Sequence, residues 1–384
     1  MKRFNLSTEI YYESNSIEKL KDIKGKKVYI VTDELMVKLG NIAKITYILD
    51  DKGIDWCIFD KVIPDPTVNI INEGLFNMIE FKPDTIVAIG GGSSIDTAKG
   101  ILYFYLKVVE RLVDEDNINK PLFIAIPTTS GTGSEVTSYS VVTDEVNDTK
   151  IPIISDGMTP DIAIIDWQFI KTVPPSVTAD TGLDVLTHAI EAYVAKESSD
   201  YTDIYAEKSI EHVFRYLLRA YNNGEDGEAR EKMHNASCMA GVAFTHAGLG
   251  INHSLAHALG ARFHIPHGRA NALLLPYIIE YNSGINEDRE SKIAERYSEI
   301  SRVLGFPHSS IKEGVISLIE GIKILKEKMN IPSTLSEMDI EENEFRQAID
   351  DIVEKAMKDA CTSSNPRNVR KEDLKLILEK AYKN

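Results

Sequence analysis

Two groupings of residue types in this 384-residue chain could do chemistry. In the first half, Gly90, Gly91, Gly92 and Ser93 follow an apolar run of strand length and precede a helical pattern that carries Asp96. Glycines at a strand-to-helix turn let backbone approach a phosphate, and the helix N-terminus offers it N–H groups and the positive end of a dipole. A pyrophosphate fits that description. The spacing is not the dinucleotide fingerprint, because Ile95 takes the place of its third glycine and the acidic residue expected about 20 positions later is missing. A second small-residue loop at 127–134, containing Thr128, Thr129 and Thr132, also follows an apolar run, so both loops could line one crevice at strand C-termini. Asp33 ends the first run, where its carboxylate could accept from an adenosine ribose hydroxyl or simply cap a turn.

The other grouping is histidine. Five of the nine, His246, His253, His257, His264 and His267, fall close together in the second half. His253 and His257 are four apart and share a helix face; Asp184 and His188 do the same on another helix. A single buried histidine usually finds a local partner. Two such pairs plus His267, in the turn formed by Ile265, Pro266, His267 and Gly268, would be hard to satisfy without a cation, and a divalent metal is the economical answer.

The elements that must position these residues divide at Pro174 and Pro175. Before them, near-continuous apolar runs at 27–32, 56–59, 85–89, 122–126 and 162–165 alternate with helical segments such as 40–53 and 93–108, the pattern of buried parallel strands with crossover helices. After them, 3.6-period segments recur at 184–195, 203–221, 236–248, 292–304, 310–329 and 344–358 with no comparable strand run. The expected architecture is an α/β, Rossmann-like dinucleotide-binding domain over 1–175, then an all-α metal-binding domain over 176–384.

Composition narrows the function classes. With 43% hydrophobic and 27% charged residues the chain reads as globular. Its 43 basic and 59 acidic side chains leave a net charge of −16, which repels phosphate backbones and anionic lipid, so neither nucleic acid nor a membrane is expected as a partner. The stretch 233–261 has no charged side chain and exceeds bilayer length, but His234, Asn235, His246, Asn252, His253 and His257 make it a buried interior segment instead. Cys57, Cys238 and Cys361 are odd in number and far apart, as reduced thiols of a cytoplasmic protein are, and two of the three are expected to fill core space. A polar, β-prone stretch at 6–13 follows the N-terminal residues, so no secretory signal is expected.

Taken together, the glycine loop 90–93, the run 125–135, the run 181–191, the run 247–276 and Asn365, Pro366 and Arg367 resemble the iron-dependent (group III) alcohol dehydrogenases over essentially the whole chain. The stretches 232–237 and 250–253 look closest to the 1-propanol dehydrogenases associated with bacterial microcompartments. The resemblance implies Asp184, His188, His253 and His267 as metal ligands, with Fe2+ preferred and Zn2+ the alternative, and His257 as a non-ligand histidine lining the site. It implies NAD(H) as cofactor, held by the two loops, with Lys150 near the nicotinamide ribose. The implied reaction is reversible oxidation of a short primary alcohol to its aldehyde, in a homodimer, in the cytoplasm or inside a microcompartment. Arg262, His264 and Arg269 depart from the pattern by placing charge and an extra imidazole beside the metal loop.

Three rivals make different demands. A zinc polyol dehydrogenase of the same superfamily should lack the fourth ligand. A dehydroquinate-synthase-like lyase should carry a dense basic cluster for a phosphorylated substrate, which 253–276 does not offer. A non-enzymatic metal- or nucleotide-binding scaffold would leave the convergence of a cofactor crevice with a four-ligand site unexplained.

Overall fold

The computed structural model describes residues 3–112, 120–145, 149–287 and 291–383. It separates into two compact units, 1–172 and 173–384.

Among the described residues the first unit is built on eight strands: β1 (Glu9–Tyr12), β2 (Lys27–Val31), β3 (Asp55–Phe59), β4 (Thr85–Gly90), β5 (Leu122–Pro127), β6 (Tyr139–Asp144), β7 (Thr149–Ile154) and β8 (Ile162–Ile165). Its helices are α1 (Glu34–Lys38), α2 (Asn41–Asp51), α3 (Val68–Phe81) and α4 (Gly92–Leu112). Six strands pair in parallel in the order β1-β8-β5-β4-β2-β3, while β6 and β7 form a separate antiparallel hairpin. All five apolar runs read from the sequence are strands of the parallel sheet, for a visible reason. Alternate residues enter two different cores: Val28, Ile30, Val87, Ile89, Ile124 and Ile126 pack with α2 on one face. Tyr29, Val31, Ile86, Ala88, Phe123 and Ala125 pack with α3 and α4 on the other. A strand buried on both faces has no polar alternation to show.

From β2 the chain steps outward to β3 and then returns past β2 to β4. The winding therefore reverses between β2 and β4, and the crevice beyond their carboxyl ends is where an open sheet of this kind binds ligands. Asp33 and the glycine loop stand at those two ends.

The second unit is helical: α5 (Pro175–Val194), α6 (Asp200–Asn222), α7 (Gly227–Ala247), α8 (Ile251–Phe263), α9 (His267–Ser283), α10 (Lys292–Val303), α11 (Ile311–Lys328), α12 (Glu342–Lys358) and α13 (Lys371–Tyr382). Proline at the first turn of α5 costs nothing, since that N–H has no intrahelical acceptor. The α5 helix is sheathed by α6, α7 and α9 and is buried along most of its length, with Asp184, His188 and Glu191 embedded among its apolar residues. A second core gathers α8, α9, α12 and α13. Among the described residues, no helix is long and apolar enough to cross a membrane.

One local expectation is corrected. His267 is the first residue of α9, not part of a free turn, and Pro266 with φ −52° leads the chain into that helix.

Candidate functional site

In the first unit, the β4–β5 register sets Gly90 opposite Pro127, and the Thr128 N–H donates to the Gly90 carbonyl at 2.9 Å. The two small-residue loops are thus joined backbone to backbone. Gly90 has φ 148°, and a Cβ there would fall 2.2 Å from Ser94 Oγ; one on Gly92 would fall 2.7 Å from Thr132 Cγ2. Gly90 needs glycine for its positive φ and the close approach of Ser94 in its own turn, and Gly92 because the second loop interlocks there through Thr132. Thr129 lies beside Gly91.

Asp33 does two things at once. Its Oδ1 accepts from the Met36 N–H at 3.0 Å, capping α1, and its Oδ2 accepts from Ser94 Oγ at 3.3 Å. The cap is the ordinary role of such a residue. The second contact ties it to the turn of the glycine loop.

Asp96 lies one turn into α4, and its carboxylate accepts from Ser134 Oγ at 2.6 Å and from the Val141 N–H at 3.3 Å. It holds the second loop and β6. Lys99, fully buried and unremarked in the sequence, completes that clasp by donating to Ser134 Oγ and Thr137 Oγ1 at 2.9 Å and to the Tyr139 carbonyl at 2.8 Å. Burial pulls its ammonium down to about 8 against the opposing charges of Asp96 and Glu135. The backbone of Lys150 lies in β7 opposite Thr143; its side chain falls outside the described residues.

In the second unit, Asp184, His188, His253 and His267 offer ligand atoms that all lie within 4.8 Å of one another. The Asp184 carboxylate is central: His267 Nε2 is 3.5 Å, His253 Nε2 3.7 Å and His188 Nδ1 3.9 Å from it. His188 stacks between Phe244 and His253, at centroid distances of 4.7 and 4.4 Å. Burial, and then the neighbouring imidazoles His188, His267 and His257, hold His253 well below the usual histidine range, so it is neutral as a metal ligand must be.

The fit to a divalent cation rests on one orphaned atom. His253 is 1% exposed, and its Nε2 has no hydrogen-bond partner among the described residues. Leaving such a group dry costs about 1–3 kcal/mol, and a cation shared with Asp184 removes that cost. Three imidazoles and one carboxylate suit Fe(II) and Zn(II) alike.

Several residues that set this geometry are absent from the sequence-based set. Glu191, two turns beyond Asp184 on α5, accepts from the Asn252 N–H at 2.8 Å and lies 2.5 Å from His253 Nδ1. It fixes that ring so that Nε2 faces Asp184. Burial pushes its carboxyl up to about 8 despite the backbone N–H groups of Asn252, Gly250 and His253. Asn271, one turn into α9, donates to Asp184 Oδ1 at 2.7 Å and to His267 Nε2 at 3.1 Å, and its own Oδ1 accepts from Asn252 at 2.8 Å. The i, i+4 spacing of His267 and Asn271 was the available signal. Gly268 permits the approach, because a Cβ there would sit 2.1 Å from the Asp180 carbonyl oxygen. Asn365, from the Asn-Pro-Arg motif, accepts from the Ile251 N–H at the start of α8 and exchanges hydrogen bonds with Asn282.

The charged departures are neutralised. Arg269 forms a two-pronged bridge to Asp180 at 3.0 and 3.1 Å, pinning α9 to α5, and Arg262 pairs with Glu344 at 3.1 Å. His264 is an exposed left-handed cap at the end of α8, with φ 55°.

His257 stands apart from the ligand group. Its ring stacks on His267 at 5.1 Å, and its Nδ1 donates to Asp359 Oδ2 at 2.9 Å. Of the three cysteines, two of which were expected to fill core space, only Cys238 is buried; Cys57 is half-buried, and Cys361 lies half-buried beside His257 and Asp359.

Comparison with known proteins identifies the family. Residues 7–167 match the model of the iron-containing alcohol dehydrogenases, and residues 178–382 match that of the Fe-containing alcohol dehydrogenase family, C-terminal. The chain belongs to this family. It is 44% identical over 390 residues to an NADPH-dependent butanol dehydrogenase of Clostridium saccharobutylicum, covering 100% of this chain and 98% of that one. It is 38% identical over 382 residues to a 1-propanol dehydrogenase of Citrobacter freundii, covering 99% of each. The solved iron-containing alcohol dehydrogenase of Thermococcus thioreducens superposes with a TM-score of 0.89 at 34% identity, covering 100% of both chains. The protein is therefore an oxidoreductase that interconverts alcohols and aldehydes with a metal and an NAD(P)-type cofactor, and the lyase and polyol-dehydrogenase readings are not favoured.

Proposed function

We propose that the chain is an Fe2+-dependent, NAD(H)-linked dehydrogenase of short primary alcohols, acting as a homodimer in the cytoplasm, within a microcompartment where one is present. The convergence of Asp184, His188, His253 and His267 within 4.8 Å carries the reading. When bound, the metal polarises the substrate oxygen and the nicotinamide exchanges hydride with the carbon.

The chain's own groups do the rest. Glu191 and Asn271 hold the ligands in place, so little reorganisation is needed when charge develops. His257 carries its Nδ1 proton against Asp359, which leaves Nε2 as the atom that accepts the alcohol proton or returns it to the aldehyde oxygen. Gly90, Gly91, Gly92 and Ser93, with Thr128, Thr129 and Thr132, present backbone N–H groups and hydroxyls to the cofactor pyrophosphate and its neighbours, and Lys150 serves the nicotinamide ribose. Asp96 keeps the two loops in register.

Asp33 favours NAD over NADP, because its carboxylate stands at the switch point between β2 and β4, where a 2′-phosphate would meet like charge. The NADPH-dependent relative makes the cofactor ratio the sharper measurement.

The test is anaerobic purification with metal analysis, followed by oxidation of NADH and of NADPH against a panel of short aldehydes. About one iron per chain and a higher kcat/KM with NADH and propanal or acetaldehyde are expected; equal use of NADPH would remove the role given to Asp33.

A further inference from the structure

Beside the four-ligand centre lies a second convergence of donor atoms. His257, Asp359 and Cys361 each offer one ligand atom, and the three lie within 4.8 Å of one another. Three features set this group apart from a chance meeting of side chains.

The carboxylate is preorganised. Asp359 Oδ1 accepts from the Cys361 N–H at 2.8 Å and from Ser254 Oγ at 3.2 Å, and Ser254 is itself held by Thr362 Oγ1 at 2.8 Å. Oδ2 is left facing His257 Nδ1 at 2.9 Å, a separation that two ligand atoms of one small cation can share. Burial alone would raise this carboxyl, but the hydrogen bonds from His257 and the Cys361 N–H outweigh it and hold it at about 2.

The group is also reachable. The His257 and Asp359 side chains retain 38% and 22% of their exposure and Cys361 is half-buried, so three protein ligands would leave a coordination position to solvent. Finally, its charge closes. Burial, with Asp359 as a negative neighbour, keeps the Cys361 thiol protonated in the empty group. Binding M2+ would release that proton, and thiolate plus carboxylate would cancel the ion's charge.

We infer that His257, Asp359 and Cys361 form a second, open, sulfur-containing site for a thiophilic divalent cation such as Zn2+, distinct from the sulfur-free four-ligand centre. Occupancy at His257 Nδ1 displaces the ring proton to Nε2. That tautomer cannot accept a proton from the alcohol, so the second cation inhibits, a consequence that rests on the proton-relay reading of His257 proposed above.

Ligand chemistry makes the test specific. Anaerobic iron-loaded enzyme is titrated with Co2+, and thiolate-to-cobalt charge-transfer absorption is followed. The four-ligand centre holds no sulfur, so cobalt exchanged into it is silent in that band. The band is expected to saturate at one equivalent per chain and to vanish in Cys361→Ser. In parallel, Zn2+ should inhibit turnover, and Cys361→Ser, measured against its own zinc-free rate, should shift the inhibition midpoint upward by at least about tenfold, a penalty that even outer-shell changes impose on metal sites. No band at cobalt saturation, or a band that persists in Cys361→Ser and so belongs to Cys57 or Cys238, overturns the site. A Cys361-dependent band without zinc inhibition upholds the site and removes the proton relay instead.

Discussion

The glycine-loop crevice of the first unit and the ligand cluster of the second are built from different materials. The crevice is made of backbone: Gly90 and Gly92 are required by the close approach of Ser94 and Thr132, and Thr128 N–H holds Gly90 carbonyl across two strands. The candidate metal site is made of side chains drawn from α5, α8 and α9 and aligned by Glu191 and Asn271. A backbone site tolerates changes in the side chains around it but not in its glycines. A side-chain site fails when any one ligand goes. Substitutions in the two regions should therefore break different functions.

The largest effect is expected at His267. His267→Ala should abolish metal-dependent turnover and lower bound metal, while fluorescence titration shows NADH still binding with near wild-type affinity, because its determinants lie in the other unit. Full activity at unchanged metal stoichiometry would remove His267 from the ligand set.

His257→Gln comes next. It should retain metal yet lose about 10²- to 10⁴-fold in kcat/KM, the usual worth of general acid–base assistance. The loss should fall on kcat more than on KM, since the group acts on the reacting proton and not on binding. An unchanged kcat would make His257 a packing residue.

The crevice is probed by Asp33→Ser. Serine keeps the N-cap of α1, worth about 1 kcal/mol, and removes only the charge. The NAD-to-NADP ratio of kcat/KM should fall about a hundredfold, chiefly through a gain with NADP. A ratio that does not move would leave Asp33 as a cap alone.

Glu191→Gln is the mildest. It preserves the shape of the side chain but weakens the hold on His253, so metal affinity should drop about 10- to 100-fold while activity recovers at excess metal. Unchanged metal affinity under chelator competition would show that the ring of His253 is oriented by packing against His188 alone.

The physical scale of each feature set how much of it could be read from the chain. Parallel strands buried on both faces, such as β2, β4 and β5, announce themselves as apolar runs; the edge strand β3 is partly exposed and was legible only because Trp56, Cys57, Ile58 and Phe59 are consecutive. The hairpin of β6 and β7 was not, because Tyr139 and Val141 are exposed beside buried Ser140 and Val142 while Ile151 and Ile154 on β7 are exposed, a weak alternation. Helix α3 has Ile71, Leu75 and Met78 on one buried face but also carries exposed Phe76 and Ile79, which blurs its period. Asp184 with His188 and His253 with His257 stand at i, i+4, so one-dimensional spacing exposes them. It cannot separate ligand from neighbour, and only the family resemblance assigned His257 a different role.

What the sequence by itself determined was local: which segments are buried strands, where the glycines allow backbone to approach a ligand, and which residue types could bind a metal. These depend on periodicity and on single-residue conformational limits, and both are written in consecutive positions. What the tertiary structure alone decided was every relation across long separations. Glu191 meets His253, Asn271 meets Asp184, and Asp359 meets His257 only because helices far apart in the chain pack at set depths and rotations. Gly268 shows the reason most plainly: a single Cβ there would strike the Asp180 carbonyl oxygen, so the approach of α9 to α5, and with it the distance from His267 to Asp184, is settled by packing.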